Sequence, residues 1–144
     1  MADQNSRRLL RCVIVTPEKT VLDVRAATVS LPLDDGSRGV AVGHTPFIGR
    51  LGSGVVRMAG VEGRSAAETT VRTFVEGGFV EVSGDAVTVI TQQAVDSATL
   101  DPAAARADLD KLKAEPASGD EAIASRMAAE AVARARLRAA ERRG

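Results

Sequence analysis

Tryptophan and tyrosine are absent from this chain, and three phenylalanines are its only aromatic rings apart from one histidine. That removes the stacking platforms on which single-strand nucleic-acid binders depend. Any core must therefore be built from Val, Leu, Ile and Ala. Charge of one sign is equally lacking: Lys plus Arg and Asp plus Glu stand at 19 each, so no net field recruits nucleic acid. The sole cysteine, Cys12, excludes an internal disulfide framework and any multi-cysteine zinc site. His44 is the only histidine, which excludes multi-histidine metal ligation and leaves one imidazole for base catalysis. Long apolar runs are missing as well. Arg7 and Arg8 precede a short apolar run that Arg11 interrupts and Pro17 closes, too brief for a signal-peptide core or a membrane span. The expectation is a soluble, cytoplasmic protein, with 144 residues enough for one domain or a domain plus an appendage.

The N-terminal two thirds carries short runs rich in β-branched residues, separated by turn signals. The pattern predicts strands over residues 9–15, 20–24, 27–31, 38–42, 54–59, 69–75, 79–82 and 86–91. Thr16-Pro-Glu-Lys19, Asp34-Asp-Gly-Ser37 and Ser83-Gly-Asp85 are read as turns, and Val75-Glu-Gly-Gly-Phe-Val-Glu-Val82 as a hairpin corner at Gly77-Gly78. Many short strands without intervening helices predict a β-sandwich or flattened barrel.

Near residue 95 the pattern turns helical. Asp101-Pro102 is a helix start, a carboxylate to cap free amides followed by proline in the first turn. Ala105, Leu109 and Leu112 then share one face. The stretch 115–120 breaks that helix, and Ser118 with Glu121 forms a capping box for a second one, whose inward stripe is read as Ile123, Met127 and Ala131. The short connection predicts an antiparallel hairpin. The fold class is thus α+β, mainly β: a sandwich domain of short antiparallel strands over 1–95 and an antiparallel helical hairpin over 96–144. The hairpin faces are alanine-rich, favouring helix formation but burying little area, so a weakly held and mobile element is expected.

From Ala131 onward Arg134, Arg136, Arg138, Arg142 and Arg143 face Glu141 alone. Two readings fit: cations complementing a helix C-terminus, or a surface for an acidic partner. For His44, in a Gly-His-Thr-Pro turn, the reading is backbone or interface contacts, with catalysis the alternative. Gly49-Arg-Leu-Gly-Ser-Gly54 lacks the Lys-Ser/Thr of a phosphate loop and is read as a glycine-rich connection. Asp34 and Asp35 suit a turn through their local hydrogen bonds. No catalytic residue and no metal site is read from the sequence.

Three segments in order, Val15-Thr-Pro-Glu18, Asp35-Gly36 with Gly39-Val-Ala-Val-Gly-His-Thr-Pro46, and Val75-Glu-Gly-Gly-Phe-Val-Glu-Val82, together resemble the epsilon subunit of the bacterial rotary ATP synthase, the mitochondrial delta-like subunit. The likeness spans 10–95 by motif and 96–143 by architecture. In that family a β-sandwich of about ten strands precedes a two-helix hairpin. It implies a non-catalytic central-stalk subunit of a proton-translocating synthase, at the cytoplasmic face of the inner membrane, attached only through the complex.

The implied partners are the gamma subunit, the ring of c subunits and the catalytic alpha/beta head. Asp35, Ser37, Arg38, His44 and Thr45 fall at or near the implied gamma and c-ring interface. Many members carry an acidic residue where this chain has Ser37-Arg38, and proline where it has Val42. The hairpin is the regulatory part, able to extend along gamma and block ATP hydrolysis, with Arg134, Arg136, Arg138 and Arg142 as implied contacts. Some members bind ATP there through a Leu/Ile-Asp-x-x-Arg-Ala motif. Here four residues rather than two separate Asp101 from Arg106, which rotates the arginine onto another part of the helix, although Arg134 and Arg138 still share a face. No cofactor is expected, with ATP at Asp101, Arg106, Arg134 and Arg138 the alternative. A free-standing ATP sensor or adaptor is the second functional reading.

Overall fold

The computed structural model describes residues 8–142. The chain divides into two compact units between Val95 and Asp96. The first contains β1 (Leu10–Val15), β2 (Thr20–Ala26), β3 (Thr28–Leu33), β4 (Gly36–Ala41), β5 (Phe47–Ala59), β6 (Val71–Ser83) and β7 (Ala86–Ile90). The short β8 (Ala94–Asp96) runs across the boundary. Hydrogen bonding follows the order β2-β1-β7-β6-β5-β3-β4, with β8 beside β6. β1 is parallel to β7, where the sequence pattern predicted antiparallel strands alone. The two are distant in sequence, so no tight turn dictates their relative direction.

Two strands of 13 residues make the layers one continuous sheet. β5 and β6 pair in a single register from Phe47↔Val82 to Met58↔Val71. The predicted strands over 69–75 and 79–82 are therefore one strand, and Gly77-Gly78 is a bend within it rather than a hairpin corner. Before the bend β6 lies beside β8, and after it β6 pairs with β7 from Phe79↔Ile90 onward. The strand thus passes from one layer of the sandwich to the other. Gly77 and Gly78 have φ of 69° and 114°. A Cβ on Gly78 would stand 2.0 Å from the Ile90 carbonyl oxygen, so no other residue fits there.

The Gly49–Gly54 segment, expected as a connection, lies inside β5. Its glycines leave room for neighbouring side chains; a Cβ on Gly54 would meet Pro32 Cβ at 2.9 Å. Pro32 itself lies in β3, between β4 and β5, where the β3–β5 register slips between Ser30 and Leu33. That irregularity accommodates a residue without an N–H to donate. The sandwich core joins Leu10, Cys12, Ile14, Val80, Val87 and Val89 of one layer to Val29, Leu31, Val40, Val56 and Met58 of the other. Burial pushes the Cys12 thiol up to about 12, so it packs as a small neutral hydrophobe.

The second unit holds helices α1 (Pro102–Ala114) and α2 (Asp120–Glu141). As expected, Asp101 caps α1, its carboxylate accepting the Ala103 N–H at 3.1 Å. Ala105 and Leu109 are buried and pack with Leu112, Ala133 and Leu137. Two expectations for α2 fail. Its N-cap is Gly119 (φ 92°) with no side-chain cap bond, so Ser118 and Glu121 form no capping box. Left-handed Gly119 turns the chain one residue past Ser118, and the helix dipole is met by Asp120 and Glu121 in the first turn. The Ile123, Met127 and Ala131 stripe is also exposed. The face toward α1 is instead the row bearing Ala133 and Leu137, because leucine offers more area to bury than any residue of the alternative stripe's C-terminal half.

Candidate partner-docking site

The β4–β5 loop arises where Gly43 (φ 89°) turns the chain after the end of β4, and Pro46 directly precedes the start of β5. The His44 N–H donates to the Ala41 carbonyl at 3.1 Å, closing the turn. The His44 Nδ1–H donates to the Thr45 carbonyl at 2.7 Å, which leaves Nε2 as the imidazole's remaining polar edge. The ring meets Phe47 with centroids 5.3 Å apart at 57°. On the same phenylalanine rests the Arg38 guanidinium, 4.8 Å from the ring centroid. Arg38 shares the Val40 face of β4, and this edge strand lets its long side chain reach the β5 start. Phe47 thus gathers Arg38 and His44 into one cluster.

Thr45 joins that cluster through its carbonyl alone, its side chain exposed beside it. Asp35 and Ser37 do not join. Asp35 lies in the two-residue turn Asp34-Asp35, and Ser37, although next to Arg38 in β4, projects from the opposite face of that strand. The carboxylate nearest the loop belongs instead to Asp85, in the β6–β7 turn, whose Oδ1 accepts the Gly43 N–H at 3.1 Å while Oδ2 pairs with Arg8. Its carboxyl is held below the ordinary 3.8, first by the Gly43 bond and then by Arg8, against desolvation that raises it. Reading the sequence missed Asp85 and Phe47. Their only signals were a Gly-Asp turn and a phenylalanine following the Gly-His-Thr-Pro motif.

Beside the cluster the outer sheet face is unusually apolar. Ile48 is 75% exposed, Ile90 56% and Phe79 52%. Register places Arg50, Phe79 and Ile90 in one cross-strand row and Ile48, Glu81 and Thr88 in the next. Arg50 lies over the Phe79 ring, 5.8 Å from its centroid. Along β1 and β2 the same sheet carries Arg11, which donates to both Asp23 oxygens at 3.1 and 2.8 Å and lowers that carboxyl's pKa.

On α2 the arginines differ from one another. Glu130 is buried and pairs with Arg134 at 3.1 Å and Arg126 at 3.3 Å, both one turn away. Arg126 also donates to the Glu115 carbonyl at 2.7 Å, closing the C-terminus of α1. Arg134 is therefore already neutralised within the helix, whereas Arg138 and Arg142 are exposed and Arg136 is partly covered. Arg143 lies outside the described residues. No hydrogen bond or ion pair links Asp101 or Arg106 to Arg134 or Arg138, and the Asp101 carboxylate is occupied as a cap. Among the described residues no cluster of His, Cys, Asp and Glu has metal-holding geometry, and no helix is long and apolar enough to cross a membrane.

The profile of the ATP synthase Delta/Epsilon chain beta-sandwich domain matches residues 9–97. A curated relative, the ATP synthase epsilon chain of Rhodopirellula baltica, is 43% identical over 130 residues, covering 90% of this chain and 97% of the relative. This chain belongs to the ATP synthase epsilon family. Solved structures agree on the fold. A chain of the Euglena gracilis mitochondrial ATP synthase (OSCP/F1/c-ring, rotational state 1) superposes with TM-score 0.78 at 20% identity, covering 96% of this chain and 85% of that one. A chain from the central stalk and c ring of the Tetrahymena thermophila mitochondrial enzyme gives 0.67 at 14% identity, with 93% and 98% covered. The epsilon family's sandwich domain thus corresponds to the unit that carries the Arg38–His44–Phe47 cluster and the apolar face.

Proposed function

We propose that this epsilon-family chain is a rotor component of the synthase's central stalk, with no catalysis of its own. Its sandwich docks on the gamma subunit and stands on the c ring, so that c-ring rotation driven by protons is coupled to ATP synthesis in the alpha/beta head. The observation that carries this reading is the apolar outer face of Ile48, Phe79 and Ile90, exposed on the sandwich that also bears the Arg38–His44–Phe47 cluster. Such a face, flanked by Arg50 and Glu81, has the make-up of a protein interface. A close-packed sandwich whose strands run through both layers suits torque transmission, because it resists shear.

Asp35, in the turn before β4, and Ser37, on the opposite face of β4 from Arg38, serve the c-ring contact. With Ser37-Arg38 in place of an acidic residue, that contact relies on Asp35 for its negative charge. The complex places the chain peripherally at the cytoplasmic face of the inner membrane. Affinity purification of the tagged chain from solubilised membranes tests the role. Recovery of gamma, c subunits and the head in fixed stoichiometry is expected; recovery of the chain alone, from membranes that contain the synthase, rejects it.

The hairpin acts as the brake on ATP hydrolysis. Its exposed stripe of Ile123, Met127 and Ala131 and the exposed Arg138 and Arg142 offer an apolar and basic surface to gamma and to acidic loops of the head. It works without bound nucleotide, since Asp101 caps its own helix and Arg134 is held by Glu130. Deleting residues 96–144 is expected to raise ATPase activity of the assembled complex, and unchanged activity under all conditions would sink the idea. Titration of the isolated chain with ATP is expected to show no binding; saturable binding abolished by Arg138→Ala would favour the ATP-sensor reading instead.

A further inference from the structure

Among the described residues, Asp85 alone combines a side chain with a positive φ, at 32°. It takes the second place of the two-residue turn Gly84-Asp85 between β6 and β7, after Gly84 at φ 55°. A turn of this hand favours glycine in that second place, as in Asp-Gly or Asn-Gly; here the order is reversed. Glycine would sit there without strain, so an aspartate in a disfavoured conformation calls for a use of its side chain.

The contacts of Asp85 supply one. Its carbonyl accepts the Arg11 N–H at 2.9 Å, its Oδ2 pairs with Arg8, and its Oδ1 accepts the Gly43 N–H at 3.1 Å. Arg8 is 70% exposed, so that ion pair is open to solvent and weak. The Gly43 bond is the one that reaches another functional segment. Gly43 is the residue before His44, and the His44 ring must face Phe47 for the Arg38–His44–Phe47 cluster to exist.

We propose that Asp85 is the positioning residue of the docking loop: by holding the Gly43 amide it sets His44 and Phe47 in place beside Arg38 before a partner arrives. Pre-setting the loop removes ordering that binding would otherwise have to supply, and so strengthens the complex without touching the partner. The inference rests on the stalk reading for the identity of that partner. The latch itself lies wholly within the sandwich unit.

Two substitutions separate positioning from a merely structural role. Asp85→Gly relieves the backbone and removes the latch; Asp85→Asn tolerates the same backbone and keeps an oxygen able to accept from Gly43. The full-length proteins are compared by thermal midpoint, by hydrogen exchange at the Gly43 amide, and by affinity for purified gamma subunit. For Asp85→Gly the midpoint should hold or rise, while Gly43 exchanges about tenfold faster and gamma binds about tenfold more weakly, the scale of one lost charge-assisted hydrogen bond. Asp85→Asn should stay near the parent in both. Unchanged Gly43 exchange in Asp85→Gly overturns the latch, and faster exchange with unchanged gamma affinity overturns its role in docking. Failure of the parent chain to bind gamma would reject the stalk reading instead, while Gly43 exchange would still decide the latch.

Discussion

The sandwich and the helical hairpin share one chain but bury apolar surface on different scales. In the sandwich, Ile14, Leu31, Val56, Met58, Val87 and Val89 are fully enclosed, each worth about 1.5–3 kcal/mol on removal from water. The core of the hairpin consists of Ala105, Leu109, Ala133 and Leu137 with Leu112 at its margin. An alanine methyl contributes roughly a third as much as a leucine side chain, and helices of 13 and 22 residues gain most of their stability from packing. Similar aliphatic content thus buries more apolar area where side chains are large and interdigitate than where they are small.

Breaking the stiff half takes a backbone insult. Gly78→Ala forces a Cβ to 2.0 Å from the Ile90 carbonyl oxygen at a φ of 114°. It should cost the sandwich on the order of 3–5 kcal/mol, read as a lower urea midpoint, or prevent folding altogether. The hairpin should yield to a single side chain. Leu109→Ala removes its central contact at a cost of about 2–3 kcal/mol, and hydrogen exchange should then show α1 and α2 unprotected while β1 and β7 stay protected. If both units lost protection together, the contrast between them would fail.

Smaller effects sharpen the comparison. Glu130→Gln withdraws the carboxylate shared by Arg126 and Arg134 and should cost the hairpin about 1 kcal/mol, seen as faster exchange in α2 alone. Acid acts on the sandwich through Asp23 and Asp85, whose carboxyl pKa values are lowered. A carboxyl depressed on folding stabilises fully above its unfolded value, ordinarily 3.8, and loses that contribution as pH falls through its lower folded value. Sandwich urea midpoints should therefore drop on acidification past that point, and the drop should shrink in Asp23→Asn. The effect is small, since Arg11 and Asp23 are both exposed.

Most strands and both helices were legible because their signals are local. Val87-Thr-Val-Ile90 favours a pleated surface whatever surrounds it, and Asp101-Pro102 sets a helix start from two adjacent residues. The Gly77-Gly78 pair misled because glycine permits a positive φ without saying whether the chain reverses or bends. Only the unbroken β5–β6 register, running past the pair, settles that β6 continues. The short β8 and the parallel β1–β7 pair depend on partners far away in sequence and leave no local mark. The α2 stripe was misread because Ile123, Met127 and Ala131 fit helical spacing as well as Ala133 and Leu137 do. Arg126-Glu130-Arg134 spacing was open to reading, and it removes Arg134 from the free cations.

The candidate site divides in the same way. His44 and Arg38 were picked out from their motif, but nothing in the sequence joined them through Phe47 or set Asp85 beneath Gly43. Ser37 is next to Arg38 in sequence, yet strand alternation turns its side chain to the opposite face, and Asp35 stays in the turn before β4. The sequence by itself determined the element types, the helix start, the change from strand to helix and the family, all properties carried by neighbouring residues or by motifs in order. Tertiary structure alone decided which strand pairs with which, which helix face is covered and which side chains share Phe47. Those outcomes follow from long-range pairing and burial, where the energy of a contact depends on residues that the chain brings together only when it folds.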